Sequence, residues 1–423
     1  MNATVQRRSD GNLPPSANRP KAGAVSRRQV LGASILVAVI MTIIGAIVWD
    51  DDEDDPVSAQ QVDGLTVVKG YGGKLKEEFL EDPKVIALLA ERYNLRVDIE
   101  AVGSIEAMCD KPREDTDYLW VGDQSSLVIY NECDGTKVRT DNIYNSPVVL
   151  YSWAQIADAL VSAGLARVET DGVYTIDFDL LVEFMMERKT WEDIGITNMH
   201  GKILVHTTDP NRSNSGFLFA GMLANSLNGD VVTATTVETV LPDVQAYFDR
   251  LGYMEPSSGE LFRQFLRTGQ GAKPIVALYE SQIPEHVHLY PNDTEKINRD
   301  IRILYPRPTV WATHPFIART DNGELLLTAL LDPDIQRLAW QHGQRPNVPG
   351  VEIDPDAGQI PGILEEITSV IDMPAPSVMF RINAVIANPD QLAPAQPSLV
   401  PVASPAAALT GHKRTRSQRQ RLA

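Results

Sequence analysis

Three successive β-strand patterns in the first third of the chain each run into a turn of Gly, Ser or Asp, and this repeat constrains the fold more than any other feature. Leu65–Lys69 is a short apolar run that meets Gly70-Tyr71-Gly72-Gly73. Asp82-Pro83 then has the form of an N-cap followed by Pro in a first helical turn, and Val85, Ile86, Leu88, Leu89 and Tyr93 keep helical spacing, so a helix is expected over about 83–93. Leu95, Val97, Ile99 and Ala101 alternate with Arg96, Asp98 and Glu100, a period-two strand that ends at Gly103-Ser104. Asp117–Val121 gives a third strand, ending at Gly122-Asp123-Gln124-Ser125. Strand, helix and strand in this order make a βαβ unit. Its turns fall outside the carboxyl ends of the strands, where open parallel sheets bind ligands.

The alternation continues beyond residue 145. Ser146–Tyr151 is an apolar strand followed by helical Ala154–Leu165, and Lys202–His206 (KILVH) is expected as another strand. The exit from that strand, Thr207 to Gly216 (TTDPNRSNSG), precedes a helix carrying Phe217, Leu218, Phe219, Met222 and Leu223. The first N–H groups of a helix lack internal acceptors and its dipole end is positive, so an oxyanion or carboxylate is favoured there, with Arg212, Ser213, Asn214 and Ser215 within reach. Ordinary capping by Ser213 or Ser215, with Arg212 solvated, accounts for the same residues. Lys273–Ser281, Ile301–Tyr305 and Thr309–Ala318 read as further strands, and 332–343 as a helix.

The order of these motifs carries a family resemblance. Gly-rich turn, VGS turn, acid-bearing third strand, SPVVLYSW, DPNRSNSG, PIVALYES and QRLAWQHGQRP, spread over about 64–350, resemble the type 2 extracytoplasmic (periplasmic-type) solute-binding proteins of ABC import systems. That resemblance implies an α/β periplasmic-binding-protein type 2 fold with two lobes joined by crossing strands near Ser146–Tyr151 and Ala277–Ser281. It divides the chain into a discontinuous first lobe (64–147 and 281–372) and a second lobe (148–280). It further implies a ligand cleft in which Tyr71, Gly72, Gly103, Ser104, Asp123 and Gln124 face Arg212, Ser213, Asn214, Ser215, Tyr279 and Glu280. The Arg-Ser-x-Ser-Gly loop is similar to the Ser-rich helix starts of phosphate and molybdate binders. Bulky Tyr71 and the acids Asp123 and Glu280 depart from that pattern, so an organic solute with a carboxylate or phosphate and a polar or cationic second end fits as well.

The ends of the chain read differently. Residues 30–49 form an uncharged apolar run, about the 20 residues a membrane-crossing helix needs, with basic residues before it and six acids, Asp50 to Asp55, after it. The expectation is a basic cytoplasmic segment (1–29), a single-pass signal-anchor in the cell membrane (30–49), an acidic linker (50–63) and an extracytoplasmic body. Ser26–Leu31 resembles a twin-arginine export signal, and Val57-Ser58-Ala59 has the small residues of a cleavage site, so export route and cleavage stay open. The Pro/Ala-rich tail, 373–423, ends in basic residues suited to anionic wall polymers, although solvation alone accounts for them.

Composition narrows the function. With 38 Lys and Arg against 56 Asp and Glu, a net charge of −18, nucleic acid is excluded as a partner. The two cysteines, Cys109 and Cys133, are expected to form a disulfide, worth about 3 kcal/mol on a loop-entropy argument, against the alternative of two buried thiols. Seven scattered His and two Cys offer no zinc-ligand spacing, and no cofactor is expected. No GxSxG elbow, HExxH or GxxxxGK[ST] occurs, so no enzyme is expected; Ser213 or Ser215 as nucleophile would need His206 or His314 as base. The expected partners are a small solute and ABC permease subunits. The alternative is a surface sensory or adhesion module on the same fold.

Overall fold

The computed structural model describes residues 64–104, 114–133, 138–169, 172–352, 360 and 362–388, apart from the side chains of Ile129, Glu132 and Cys133. β1 (Thr66–Gly72) leads through α1 (Lys74–Leu80) and α2 (Pro83–Tyr93) to β2 (Leu95–Ala101), followed by β3 (Tyr118–Trp120), α3 (Gln124–Cys133) and β4 (Arg139–Asn142). β5 (Tyr144–Trp153) then opens a second region: α4 (Ala154–Ser162), β6 (Ala166–Val168), β7 (Tyr174–Asp177), α5 (Phe178–Met186), α6 (Asn214–Asn228), α7 (Val237–Leu251), α8 (Ser258–Thr268), β8 (Ile275–Tyr279), α9 (Gln282–Leu289), α10 (Thr294–Asp300) and β9 (Ile301–Arg307). The chain continues as β10 (Trp311–Ala312), β11 (Pro315–Ala318), α11 (Asp321–Leu330), α12 (Pro333–Gln341), β12 (Arg345–Pro346) and α13 (Pro376–Ala387).

The strands form two sheets. The first runs β2-β1-β3-β11-β4, with β1, β2 and β3 parallel and β11 antiparallel to its neighbours. The second is built around β5, which pairs with β12 and β10 near its start and with β8 and β9 further along. The mixed α/β, two-lobed architecture expected from the sequence is present. β5 belongs to the second sheet, and its apolar run is buried there: Val148, Val149, Leu150 and Tyr151 are fully buried. β9 still pairs with β5 and β7, and the chain rejoins the first sheet only at β11, so Ala277–Ser281 belongs to the second sheet and the helix that follows it.

Each sheet has its own core. Around the first, Val68, Phe79, Val85, Leu89, Leu95, Trp120, Phe316 and Leu326 pack together. The helix over Pro83–Tyr93 forms as its spacing predicts: Asp82 Oδ1 accepts from Lys84 and Val85 N–H, Pro83 occupies the first turn, and Asn94 ends the helix with φ 57°. Around the second sheet, Leu150, Leu160, Phe219, Leu241, Tyr247 and Ala277 form the largest cluster.

Several local expectations are corrected. Gly70 to Gly72 lie within β1 rather than in a turn; a Cβ on Gly70 would meet the Tyr118 carbonyl, so the glycine serves close strand packing. Lys202–His206 is held by isolated bridges, Thr190 to Lys202 and His206 to Val276, and not by a full strand. The Pro/Ala-rich tail contributes a helix, α13. Pro376 stands in its first turn, and Val378, Met379, Ile382 and Val385 recur at helical spacing and insert into the second-sheet core. The anchored, single-pass cell-membrane assignment is corrected as well: no helix of the described residues is long and apolar enough to cross a membrane. Segments 1–29, 30–49 and 50–63, Cys109 of the expected Cys109–Cys133 bridge and the basic end of the tail lie outside the described residues.

Candidate functional site

Between the two sheets lies a cleft of about 240 Å³. One wall comes from the first sheet: Gly73 to Lys76 at the start of α1, Ala101 to Ser104 after β2, and Gly122 after β3. The other comes from Arg212, Ser213 and Asn214 at the start of α6, from Pro256 to Gly259 at the start of α8, and from Tyr279 at the end of β8. A recess of about 10 Å³, room for roughly one water, adjoins it among Ser104, Asp123, Ser125, Ser126, Arg212, Ser213, Asn214 and Phe217. The walls touch through glycines. A Cβ on Gly103 would lie 2.9 Å from the Arg212 carbonyl, and one on Gly122 would lie 2.5 Å from Asn214 Nδ2.

The loop before α6 is held by its own backbone. Arg212 and Ser213 N–H donate to the Asp209 carbonyl, Asn211 N–H donates to Asp209 Oδ1, and Asp209 N–H donates to the Glu255 carbonyl. Ser213 is the N-cap residue, yet its side chain makes no capping bond. Its hydroxyl lies 3.2 Å from that of Ser215, which also meets Thr208 Oγ1 and Ser258 Oγ at 2.8 Å each. Capping therefore does not account for Ser213, and the first-turn N–H groups of α6 are left to other acceptors. Asn214 Nδ2 donates to the Tyr279 hydroxyl at 3.0 Å, and Gly122 N–H donates to Ser104 Oγ at 3.0 Å.

The electrostatics are set by burial. Lys76 is 5% exposed. Loss of solvation lowers its ammonium to about 7, with the Asp123 carboxylate pulling the other way. Asp123 is raised by the same cause, opposed by hydrogen bonds from Ser125 and Ser126, and its Oδ2 is buried with no hydrogen-bond partner. Arg212 is exposed, and neither it nor Lys76 forms an ion pair among the described residues. Arg212 and Lys76, whose charge is set by pH near 7, thus share one cleft without ion-pair partners among the described residues.

Of the residues expected at the site, Gly103, Ser104, Asp123, Arg212, Ser213, Asn214 and Tyr279 meet here. The others are elsewhere. Tyr71 packs with Leu119, Val121 and Ile317, and Gly72 is covered by Ile99 and the Trp120 carbonyl. Gln124 is exposed and donates to Asn142 Oδ1. Ser215 is fully buried behind Ser213. Glu280 is fully buried too, held by Arg345 Nε at 2.6 Å and Nη2 at 2.8 Å and by the Tyr305 hydroxyl at 2.5 Å. Its charge is spent on Arg345.

Sequence reasoning missed Lys76, Ser257 and Ser258. Lys76 stands three and four residues before buried Phe79 and Leu80, a charge on the apolar face of a helix, which is the signal that finds it. Ser257 opens a Ser-x-x-Glu capping pattern ahead of Leu261 and Phe262, and its Oγ accepts from Glu260 N–H. His206 is lowered to about 4, first by burial and then by Lys273. His314 is buried against Tyr144 and Tyr279, with neither ring nitrogen hydrogen-bonded. Neither imidazole bonds Ser213 or Ser215, whose hydroxyls pair with one another, Thr208 and Ser258.

Solved structures similar to this chain include a Bordetella ferric binding protein (15% identity, 77% of this chain and 98% of that one, TM-score 0.46). Others are the apo ferric ion-binding protein A of Pasteurella haemolytica (12%, 77% and 97%, 0.49) and the sulfate-binding protein SubI from Mycobacterium tuberculosis H37Rv (16%, 67% and 88%, 0.42). The chain resembles periplasmic type 2 solute-binding proteins. No protein-family model and no curated protein matches the sequence.

Proposed function

We propose that this chain is a solute-binding protein that captures a small solute through an anionic group in the cleft between its two sheets, for delivery to ABC permease subunits. The observation that supports this reading is the pairing of Lys76 and Arg212, two cations without ion-pair partners among the described residues, with the hydroxyls of Ser104, Ser213 and Ser258 in one cavity. The beginnings of α6 and α8 add backbone donors and positive dipole ends to the same space. Asp123, with Oδ2 unpartnered, suits a second, donor-bearing end of the solute. At about 240 Å³, against about 10–15 Å³ for one water on the same measure, the cleft has room for a compact organic anion.

The test is a thermal-shift screen of oxyanions, carboxylates, amino acids and sugar phosphates, followed by calorimetry on each hit. Arg212→Ala is expected to weaken binding by about 10- to 150-fold, the loss of one charge-assisted hydrogen bond of about 1.5–3 kcal/mol. A hit whose affinity ignores both Arg212→Ala and Lys76→Met removes the cleft as the binding site.

A further inference from the structure

Away from the cleft, the fold gathers three metal-ligating side chains that the sequence holds far apart. Asp82 caps α2, His288 lies in the last turn of α9, and His342 ends α12. Their ligand atoms all lie within 4.8 Å of one another. Asp82 Oδ2 is 3.0 Å from His288 Nε2 and 3.4 Å from His342 Nε2. Ligand atoms sharing a tetrahedral zinc ion at bonds of about 2.0–2.2 Å stand about 3.3 Å apart, so the two Asp82 spacings match a metal's first shell, and the imidazole-to-imidazole spacing lies within 4.8 Å.

The surroundings are arranged for the same purpose. The two oxygens of Asp82 are divided: Oδ1 accepts from Lys84 and Val85 N–H, which leaves Oδ2 for the imidazoles. His342 Nδ1 meets Glu285 Oε2 at 2.6 Å, and that bond orients Nε2 toward Asp82. A carboxylate on the far nitrogen of a ligating histidine is the usual outer support of such a site. The other oxygen of Glu285, Oε1, is buried with no hydrogen-bond partner. Phe79 packs edge-on against His342 at 5.4 Å and fixes the ring. His342 is buried, and the His288 side chain, 27% exposed, leaves a path from solvent.

We propose that Asp82, His288 and His342 form a binding site for a divalent transition-metal ion, with zinc the best match and Glu285 as the outer carboxylate. Two imidazoles and one carboxylate suit zinc, cobalt or nickel and disfavour calcium and magnesium, which take oxygen ligands. None of these residues lines the solute cleft, so the site is a separate one. It also has a structural consequence. α2 packs in the first-sheet core through Val85 and Leu89, α9 packs against the second sheet through Ile283 and Val287, and α12 reaches both, through Ile335 and Ala339 on one side and Trp340 on the other. A bound ion therefore ties the elements of one sheet to those of the other.

The test uses the tag-free full-length chain, stripped with a chelator and titrated with Zn²⁺ against a chromophoric competitor and with Co²⁺ by visible spectroscopy. One ion per chain is expected, with the intense d–d absorption of four-coordinate Co²⁺ and a melting temperature that rises with Zn²⁺. His288→Ala is expected to abolish all three signals. Glu285→Gln should weaken binding by about 10- to 100-fold. His286→Ala, which removes a ring paired with Asp293 at 2.9 Å, should bind as the parent does. Circular dichroism verifies that each variant is folded, and His288→Gln replaces His288→Ala if the latter is not. No stoichiometric ion in the parent chain, or equal binding by the His288 variant, overturns the proposal.

Discussion

At the scale of single residues, Lys76 has the most consequential environment in the cleft. An ordinary lysine titrates near 10.5, and burial brings this one to about 7. Between those values the unfolded chain holds a proton that the folded chain has released, so the contribution of Lys76 to ligand-free stability is flat below about pH 7 and rises with pH through this window. Capture of an anion requires the charged form, so binding above about pH 7 takes up one proton. Affinity for an anionic solute is expected to fall as pH rises from about 7 to 9, approaching tenfold per unit, the limit for one proton. Calorimetry across that range checks this, and Lys76→Met should remove both the slope of binding and that of stability. A pH-independent affinity in the parent chain would remove Lys76 from the recognition of the solute.

At the scale of elements, Glu280 and Arg345 join the end of β8 to β12. Both are buried; Arg345 also donates to the carbonyls of Glu365 and Leu364, and the Tyr151 hydroxyl donates to the carbonyls of Tyr279 and Glu280. A buried pair is costly to break from one side, because the remaining charge stays desolvated. Glu280→Ala is expected to lower stability by about 3–5 kcal/mol in urea melts, while Glu280→Gln with Arg345→Met should recover part of that loss. Equal losses in the single and double variants would mean that the pair is not the unit that matters. The same elements show how far local pattern reaches. α2 was legible down to its ends because cap, Pro and apolar spacing are all local, as was β2 with its strict alternation. β8 was legible as a strand, but the role of Glu280, the acid that follows it, was not. Nothing near Glu280 in sequence announces Arg345, 65 residues away.

At the scale of the whole molecule, the two walls of the cleft meet at Gly103 and Gly122, where any side chain would strike Arg212 or Asn214. Gly122→Val is expected to hold the walls apart while leaving each core intact. Small-angle scattering should show a larger radius of gyration than the parent with solute present. If the closed population falls to about a tenth, the affinity falls about tenfold. An unchanged radius and unchanged binding would show that this contact does not limit closure.

What the sequence determined by itself is the alternating strand-and-helix class of fold and the half of the cleft built from local signals. Gly103-Ser104, Asp123 and Arg212 to Asn214 sit at strand ends or at a helix start, positions that periodicity and capping chemistry reveal. The tertiary structure alone decided which polar residues face the cleft and which are consumed elsewhere. Lys76 enters because α1 turns it inward, Glu280 leaves because Arg345 neutralises it, and Ser215 is withdrawn behind Ser213 by Thr208 and Ser258. The cluster of Asp82, His288 and His342 is a product of packing in the same way. Its members sit on three helices with no motif spacing among them, and contacts between residues hundreds of positions apart are set by how the sheets and helices pack rather than by any neighbour in the chain.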